Sequence, residues 1–215
     1  MRTTHIPPAD ALQVAGLTPF STLDYPGQLS AVVWVQGCPW RCGYCHNPHL
    51  QARGQGGQLA WSAVQQFLQQ RVGLLDAVVF SGGEATVDKA LPAAMAAVKA
   101  MGFRVGLHTA GCYPARLDKV LPLCDWVGLD VKTLWADYDQ LTATPGSGRA
   151  AEASLNQLLL SGVPHQIRTT VHEAWLPAGK LLALQSMLSS YPVASHVLQP
   201  FRKEGCREEF IARLL

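Results

Sequence analysis

The feature that most limits how this chain can fold is an alternation of short apolar runs, rich in β-branched residues, with longer stretches of helical periodicity. The spacing predicts strands near 29–36, 77–81, 103–108, 126–130, 165–171 and 195–199, and helices near 60–72, 87–101, 114–123, 150–161, 177–189 and 206–214. The runs Ala77-Val78-Val79-Phe80 and Trp126-Val127-Gly128-Leu129 are apolar on both faces. A parallel strand needs that when helices cover one side and a packed interior fills the other, and right-handed βα units follow. A full eight-unit barrel takes about 250 residues, so six units in 215 residues predict an α/β fold, an incomplete (βα)6 TIM-like barrel open on one side. A doubly wound sheet is the rival, but no G-x-G-x-x-G follows the first strand. One domain is expected over 1–215: an N-terminal extension, ribbon or loop over 1–28, a partial-barrel core over 29–202, and a C-terminal helix within 203–215.

With 48% hydrophobic and 15% charged residues the chain can bury a large interior. A net charge of +2 with no stripe of Lys and Arg argues against nucleic acid as a partner. The apolar runs fall far short of the roughly 20 residues that span a bilayer, so no membrane partner is expected. No signal peptide opens the chain and three of its six cysteines cluster, which together suggest a reducing, cytoplasmic setting.

Those three, Cys38, Cys42 and Cys45, fall within eight residues directly after the run Ala31-Val32-Val33-Trp34-Val35. A [4Fe–4S] cubane usually takes four thiolates. Three would leave one iron open to a ligand, which points to catalysis rather than electron storage. Structural zinc is the rival, with His46 beside the C-x-x-C turn, but no second C-x-x-C or H-x(3-5)-H pair exists. A non-catalytic iron–sulfur or zinc-binding protein stays open as the alternative from another class, needing a fourth ligand such as His46 or a distant cysteine.

The unusual polar residues gather at the ends of the predicted strands, the catalytic face of a βα barrel. They are Ser81-Gly82-Gly83-Glu84, His108-Thr109-Ala110-Gly111, Asp130-Val131-Lys132 and Arg168-Thr169-Thr170. Gly82 and Gly83 would let backbone approach a ligand, and Glu84 offers an acceptor for an ammonium group, although Gly-Gly turns are also common structural features. Asp130 and Lys132 share one face of a strand, where they line the mouth or form a local ion pair. His108 could be a core histidine or a functional one, and no role is assigned to it. Cys112 and Cys124 read as small buried hydrophobes, and Cys206 sits in a charged, exposed stretch.

The C-x3-C-x2-C pattern, with an aromatic residue before its last cysteine and a later Gly-Gly-Glu, resembles the radical S-adenosylmethionine superfamily. More narrowly, Cys45-His46-Asn47-Pro48, the approach Phe20-Ser21-Thr22-Leu23-Asp24-Tyr25-Pro26-Gly27 and the segment Gly106-Leu107-His108-Thr109-Ala110-Gly111 are similar to activating proteins of glycyl-radical enzymes, above all those serving anaerobic ribonucleoside-triphosphate reductase. The resemblance implies that Cys38, Cys42 and Cys45 ligate three irons of a [4Fe–4S] cluster while S-adenosylmethionine chelates the fourth. It puts Tyr44 beside the adenine with His46 near it, gives the methionine ammonium to Gly82, Gly83 and Glu84, sets Asp130 and Lys132 near the ribose and methionine carboxylate, and has Arg168 hold the anionic end. Flavodoxin or ferredoxin would donate one electron, and the cleaved cofactor would abstract a glycine Cα hydrogen from the partner enzyme. A radical enzyme acting on a small metabolite, such as a 7-carboxy-7-deazaguanine synthase, is the nearest alternative. Two positions depart from the pattern: Ala85 replaces a common proline, and His108 replaces an aspartate that binds a monovalent cation in some relatives, so no cation site is predicted.

Overall fold

The computed structural model describes residues 6–54 and 57–212. Seven strands form one sheet in chain order: β1 (Val14–Ser21), β2 (Ser30–Val35), β3 (Ala77–Gly82), β4 (Arg104–Thr109), β5 (Trp126–Asp130), β6 (His165–Val171) and β7 (His196–Pro200). Strands β2 to β7 are parallel, each paired with the next, and the sheet stays open with β1 and β7 at its edges. All six expected strands are present, with ends within one residue of the predicted limits.

The seventh strand is a correction. Residues 14–21 were expected as ribbon or loop, yet β1 pairs antiparallel with β2, with irregular register between Val14 and Gly16 and between Thr18 and Ser21. Gly16 and Pro19 disguise it in the sequence, and both are tolerated because this is an edge strand.

The helices are α1 (Trp61–Gln69), α2 (Leu91–Ala100), α3 (Pro114–Val120), α4 (Tyr138–Thr142), α5 (Ser147–Ser161), α6 (Ala178–Ser189) and α7 (Glu208–Ile211). Helix α2 starts later than its periodicity suggests because a 3-10 turn, Ala85–Val87, comes first and the Asp88 carboxylate accepts from the Ala90 N–H at 2.9 Å. Helix α4 was not anticipated; it ends at Ala143, whose φ of 49° breaks the helix before Asp139 accepts from Gly146 N at 2.8 Å at the start of α5. The helix expected near 206–214 is only the short α7, and residues 213–215 lie outside the described residues, as do 1–5 of the N-terminal extension.

Alternation along the strands builds two layers. On one face Val33, Val78, Phe80, Leu107, Leu129 and Ile167 are buried against Trp61, Leu68, Met95, Leu117 and Leu158 of the helices. Each such side chain contributes about 1.5–3 kcal/mol. The other face forms a smaller interior of Val32, Ala77, Val79, Trp126 and Tyr25. Tyr25, from the loop after β1, stacks on Trp126 at 5.2 Å, and Gly106 makes room for it: a Cβ there would stand 3.1 Å from the Tyr25 ring. The N-terminal segment is therefore part of the core and floors the barrel. Among the described residues no helix is long and apolar enough to cross a membrane.

Candidate active site

Above that floor, at the carboxyl ends of the strands, lies a cleft of about 240 Å³ lined by Cys38, Cys42, Cys45, Tyr44, His46, Gly82, Gly83, His108, Asp130, Lys132 and Arg168, among others. Ten of the eleven residues expected in the site from sequence thus meet in one place; Glu84 is not in the lining.

The cysteine loop is pinned at its neck. Gly37 N donates to Leu50 O at 2.8 Å, Cys38 N to Gln51 O at 3.2 Å, and the Gln36 amide to Ala52 O at 2.6 Å. On its inner side Trp40 packs edge-on to Tyr138 at 5.7 Å, and Arg41 N donates to Thr142 O at 2.8 Å, which explains the unanticipated α4 as a support for the loop. On its outer side the chain beyond β6 wraps it. Trp175 stacks on Tyr44 at 4.6 Å, Phe210 packs over Gly43, and the Cys206 thiol donates to Tyr44 O at 3.4 Å. His46 Nε2 donates to Arg202 O at 3.0 Å, and its ring meets Phe201 at 5.5 Å. All six cysteines are free.

Tyr44 is 4% exposed. One face of its ring carries Trp175, and the Lys132 ammonium stands over the ring at 5.6 Å. Its ring therefore presents no free face to a ligand. The Tyr44 hydroxyl is buried without a hydrogen-bond partner among the described residues.

The turn after β3 differs from expectation in two ways. A Cβ on Gly83 would fall 2.5 Å from Gly37 O and 2.8 Å from Leu50 O, and one on Gly82, whose φ is 130°, would strike the Val35 backbone. These glycines let the turn press against the neck of the cysteine loop, so protein backbone already occupies the space a side chain would need. Glu84, expected to receive an ammonium group, is 2% exposed and engaged. Its Oε1 accepts from Thr86 N (3.2 Å), Thr86 Oγ1 (2.6 Å) and Thr109 Oγ1 (2.7 Å), and its Oε2 from Ala110 N (2.9 Å). Glu84 thus latches the end of β3 to the end of β4, as a buried carboxylate must be hydrogen-bonded to persist.

Across the cleft Asp130 and Arg168 form a close pair, Nε to Oδ1 at 2.9 Å and Nη2 to Oδ1 at 2.8 Å, with the Lys132 ammonium 3.9 Å from Oδ2. Burial works against the Asp130 carboxylate, but Arg168, Lys132 and His108 outweigh it and hold its pKa below the ordinary value. Burial likewise opposes the Lys132 ammonium, yet Tyr44, Cys42 and Asp130 raise its pKa well above the usual lysine value. His108 donates from Nε2 to Asp24 O at 2.7 Å; burial and the nearby Arg168 push its pKa down to about 4, so it is neutral at pH 7. Burial pushes the Cys42 thiol up to about 11, so metal binding there must displace a proton.

These residues fit an iron–sulfur cluster and a zwitterionic cofactor: three free thiols, two cations on the facing strands, and an orphaned hydroxyl in the wall. Among the described residues no three His, Cys, Asp or Glu side chains converge to hold one metal ion. Thiolates that take separate corners of a cubane need not converge.

The Radical SAM superfamily profile matches residues 32–174, and the chain belongs to that superfamily, whose cofactors are a [4Fe–4S] cluster and S-adenosylmethionine. A protein of Methanocaldococcus jannaschii named as a glycyl-radical enzyme activating enzyme is 30% identical over 150 residues, covering 68% of this chain and 61% of that protein. The pyruvate formate-lyase-activating enzyme of Clostridium pasteurianum is 31% identical over 132 residues, 59% of this chain and 54% of that one. The chain thus spans between half and two thirds of the length of these two curated relatives. Among solved structures, QueE from Escherichia coli aligns over 94% of this chain and 91% of its own with a TM-score of 0.56 at 16% identity, a likeness of fold alone.

Sequence reasoning assigned no role to several parts of the site. Trp34 lines the cleft and was findable, since it alternates with inward-facing Val32 on β2. The Ala110 amide, latched to Glu84, and Trp175, stacked on Tyr44, carry no local signal.

Proposed function

We propose that this chain is a glycyl-radical enzyme activating enzyme, and that its partner is an anaerobic ribonucleoside-triphosphate reductase. The observation that carries the reading is the convergence of Cys38, Cys42 and Cys45 with Asp130, Lys132 and Arg168 on one cleft at the open end of an unclosed sheet. The relatives named as activating enzymes and the Cys45-His46-Asn47-Pro48 segment support the activase role, and the resemblance of the chain's motifs to activating proteins of anaerobic ribonucleoside-triphosphate reductase supports the choice of partner.

When bound, the cluster and S-adenosylmethionine supply one-electron cleavage that ends in hydrogen abstraction. The chain's residues hold, orient and shield. Cys38, Cys42 and Cys45 hold three irons and leave the fourth to the cofactor. Lys132 and Arg168 draw the cofactor's carboxylate end to one side, and Asp130 fixes the Arg168 guanidinium so that little orientation is lost on binding. The Gly82–Gly83 backbone lines the opposite wall, held in place by the Glu84 latch. Tyr44, with Trp175 behind it, closes one side against water. The target, one glycine Cα–H on a loop of the partner, enters through the mouth of the unclosed sheet.

The test is anaerobic incubation of the reconstituted chain with dithionite, S-adenosylmethionine and the reductase. The expected result is 5′-deoxyadenosine together with a paramagnetic doublet on the reductase that collapses when its glycines are deuterated at Cα. Cleavage without a glycyl signal, with a small metabolite consumed instead, refutes the activase reading. Cys42→Ala should abolish the close to four irons and four sulfides expected per chain; one tightly held zinc without sulfide in the parent protein refutes the cluster itself.

A further inference from the structure

Behind the cysteine loop lies a second depression that shares no lining residue with the cleft. One part, about 650 Å³, sits between the turn after β3, the start of α2 and helix α3; the other, about 380 Å³, shares Asp88, Lys89 and Arg116 with it and adds Arg53 and Val87. Among the described residues four cations line the whole, Arg53, Lys89, Arg116 and Lys119, against one carboxylate, Asp88. That carboxylate is already engaged, accepting from Gln13 N at 3.0 Å, Ala90 N at 2.9 Å and Arg53 Nη2 at 3.1 Å. In a chain with a net charge of only +2, this placement makes the groove locally positive.

The groove also backs directly onto the cysteine loop. A Cβ on Gly37 would stand 3.3 Å from Arg53 Cβ and 3.3 Å from Val87 Cγ1, and Gly37 immediately precedes Cys38. The groove floor therefore touches the residue that precedes the first cysteine of the loop. A hydrogen-bonded path reaches the cleft as well: Arg116 donates to the Thr86 and Val87 carbonyls, and Thr86 donates to the Glu84 latch.

We propose that this groove is the docking surface for an acidic electron-carrier protein, which reduces the cluster from behind Cys38 while the cleft stays free for substrate. The proposal rests on the cleft holding the family's cluster. One electron leaves a reduced flavin or iron–sulfur centre of the carrier, which is oxidised by one electron, and enters the chain's cluster, which is reduced by one. No bond forms or breaks in the groove. The four cations come from three segments, two of them on α3, and Lys89 and Lys119 face solvent, which suits a broad acidic protein face and steers its approach. A small anion wants convergent donors, and Arg116, fixed over Tyr113 at 4.4 Å, already serves two carbonyls.

The experiment compares the cluster-loaded chain with its Lys89→Glu/Lys119→Glu variant, using a flavodoxin and a [2Fe–2S] ferredoxin as probes in titration calorimetry at low and high salt. The expected result is salt-sensitive binding that weakens about tenfold or more in the variant, with carrier-driven cleavage of S-adenosylmethionine falling in step. Dithionite-driven cleavage, which needs no docking, stays unchanged. Arg149→Glu, an exposed reversal on α5 outside the groove, leaves carrier binding as it was. Equal carrier binding in parent and double variant overturns the proposal, as does no saturable binding of either carrier. Binding of a DNA duplex that the same reversals abolish, in place of the carriers, also overturns it. Failure of dithionite-driven cleavage in the parent protein strikes the reading of the cleft instead, and the binding arm still decides the groove.

Discussion

The two walls of the cleft are built on opposite plans. In the turn after β3 both Glu84 oxygens are engaged and both glycines press against neighbouring backbone. At the ends of β5 and β6 the charged groups are less enclosed: the Asp130 side chain is 36% exposed, and Lys132 approaches it only to 3.9 Å. The first wall fixes geometry, and its carboxylate has no oxygen left without a partner. The second keeps donors in reserve for a ligand. Adjacent residues of β4 mark the boundary, with Thr109 turned to the Glu84 latch and His108 to the interior beside Trp126.

The severest challenge to this contrast is Gly83→Val. With two carbonyl oxygens inside contact distance, the change should cost more than about 4 kcal/mol and leave no cooperatively folded protein by circular dichroism. A variant that folds, keeps its cluster and loses only cofactor affinity would show that the turn serves the ligand, and the contrast would break. Glu84→Ala comes next, because it orphans four donors, each costing about 1–3 kcal/mol when buried and unpaired. Urea unfolding should show a loss of about 3 kcal/mol or more, with Glu84→Gln milder because it keeps one oxygen.

The pH dependence of stability follows, with a sign set by His108. Its folded pKa is pushed down to about 4 while an unfolded histidine titrates near 6.5. Between those values the unfolded chain binds more protons, so stability should fall on acidification from pH 6.5 toward 4 by up to roughly 3 kcal/mol. His108→Asn should flatten that part of the profile in denaturation midpoints measured across pH. The smallest stability change belongs to Lys132→Ala, about 1–2 kcal/mol, because its ion pair is long and Asp130 keeps Arg168 as its closer partner. Its cofactor affinity should nonetheless drop on the order of tenfold in equilibrium binding. Equal losses of stability at Glu84 and Lys132 would erase the distinction between the walls.

How legible these features were follows from the range of the interactions that make them. Strands β2 to β5 were readable because burial on both faces leaves continuous apolar runs such as Ala77-Val78-Val79-Phe80, whereas β6 and β7 are less buried and were legible from their β-branched residues and their place in the alternation with helices. Strand β1 was not, because an edge position tolerates Pro19 and two register irregularities that a central strand would not. Cys38, Cys42 and Cys45 announced themselves through spacing, whereas the occupied state of Glu84 depends on Thr109 and Ala110, about 25 residues away in sequence. No local pattern distinguishes a carboxylate awaiting a ligand from one already bonded. The same holds for Tyr44, whose stacking partner Trp175 comes from beyond β6.

Strand order equal to chain order also shapes how the molecule is made. Synthesis proceeds from the N-terminus, so each parallel strand emerges to find its neighbour in place, and the sheet can grow without long segments waiting. The cysteine loop breaks that convenience. It follows the earliest parallel strand, while its outer cover, Trp175, Phe201, Cys206 and Phe210, is translated well after it. A nascent chain therefore carries three uncovered thiols until that cover emerges, vulnerable to oxidation and to stray metal. Faithful loading of the cluster therefore gains from waiting until this cover has emerged and packed over the loop.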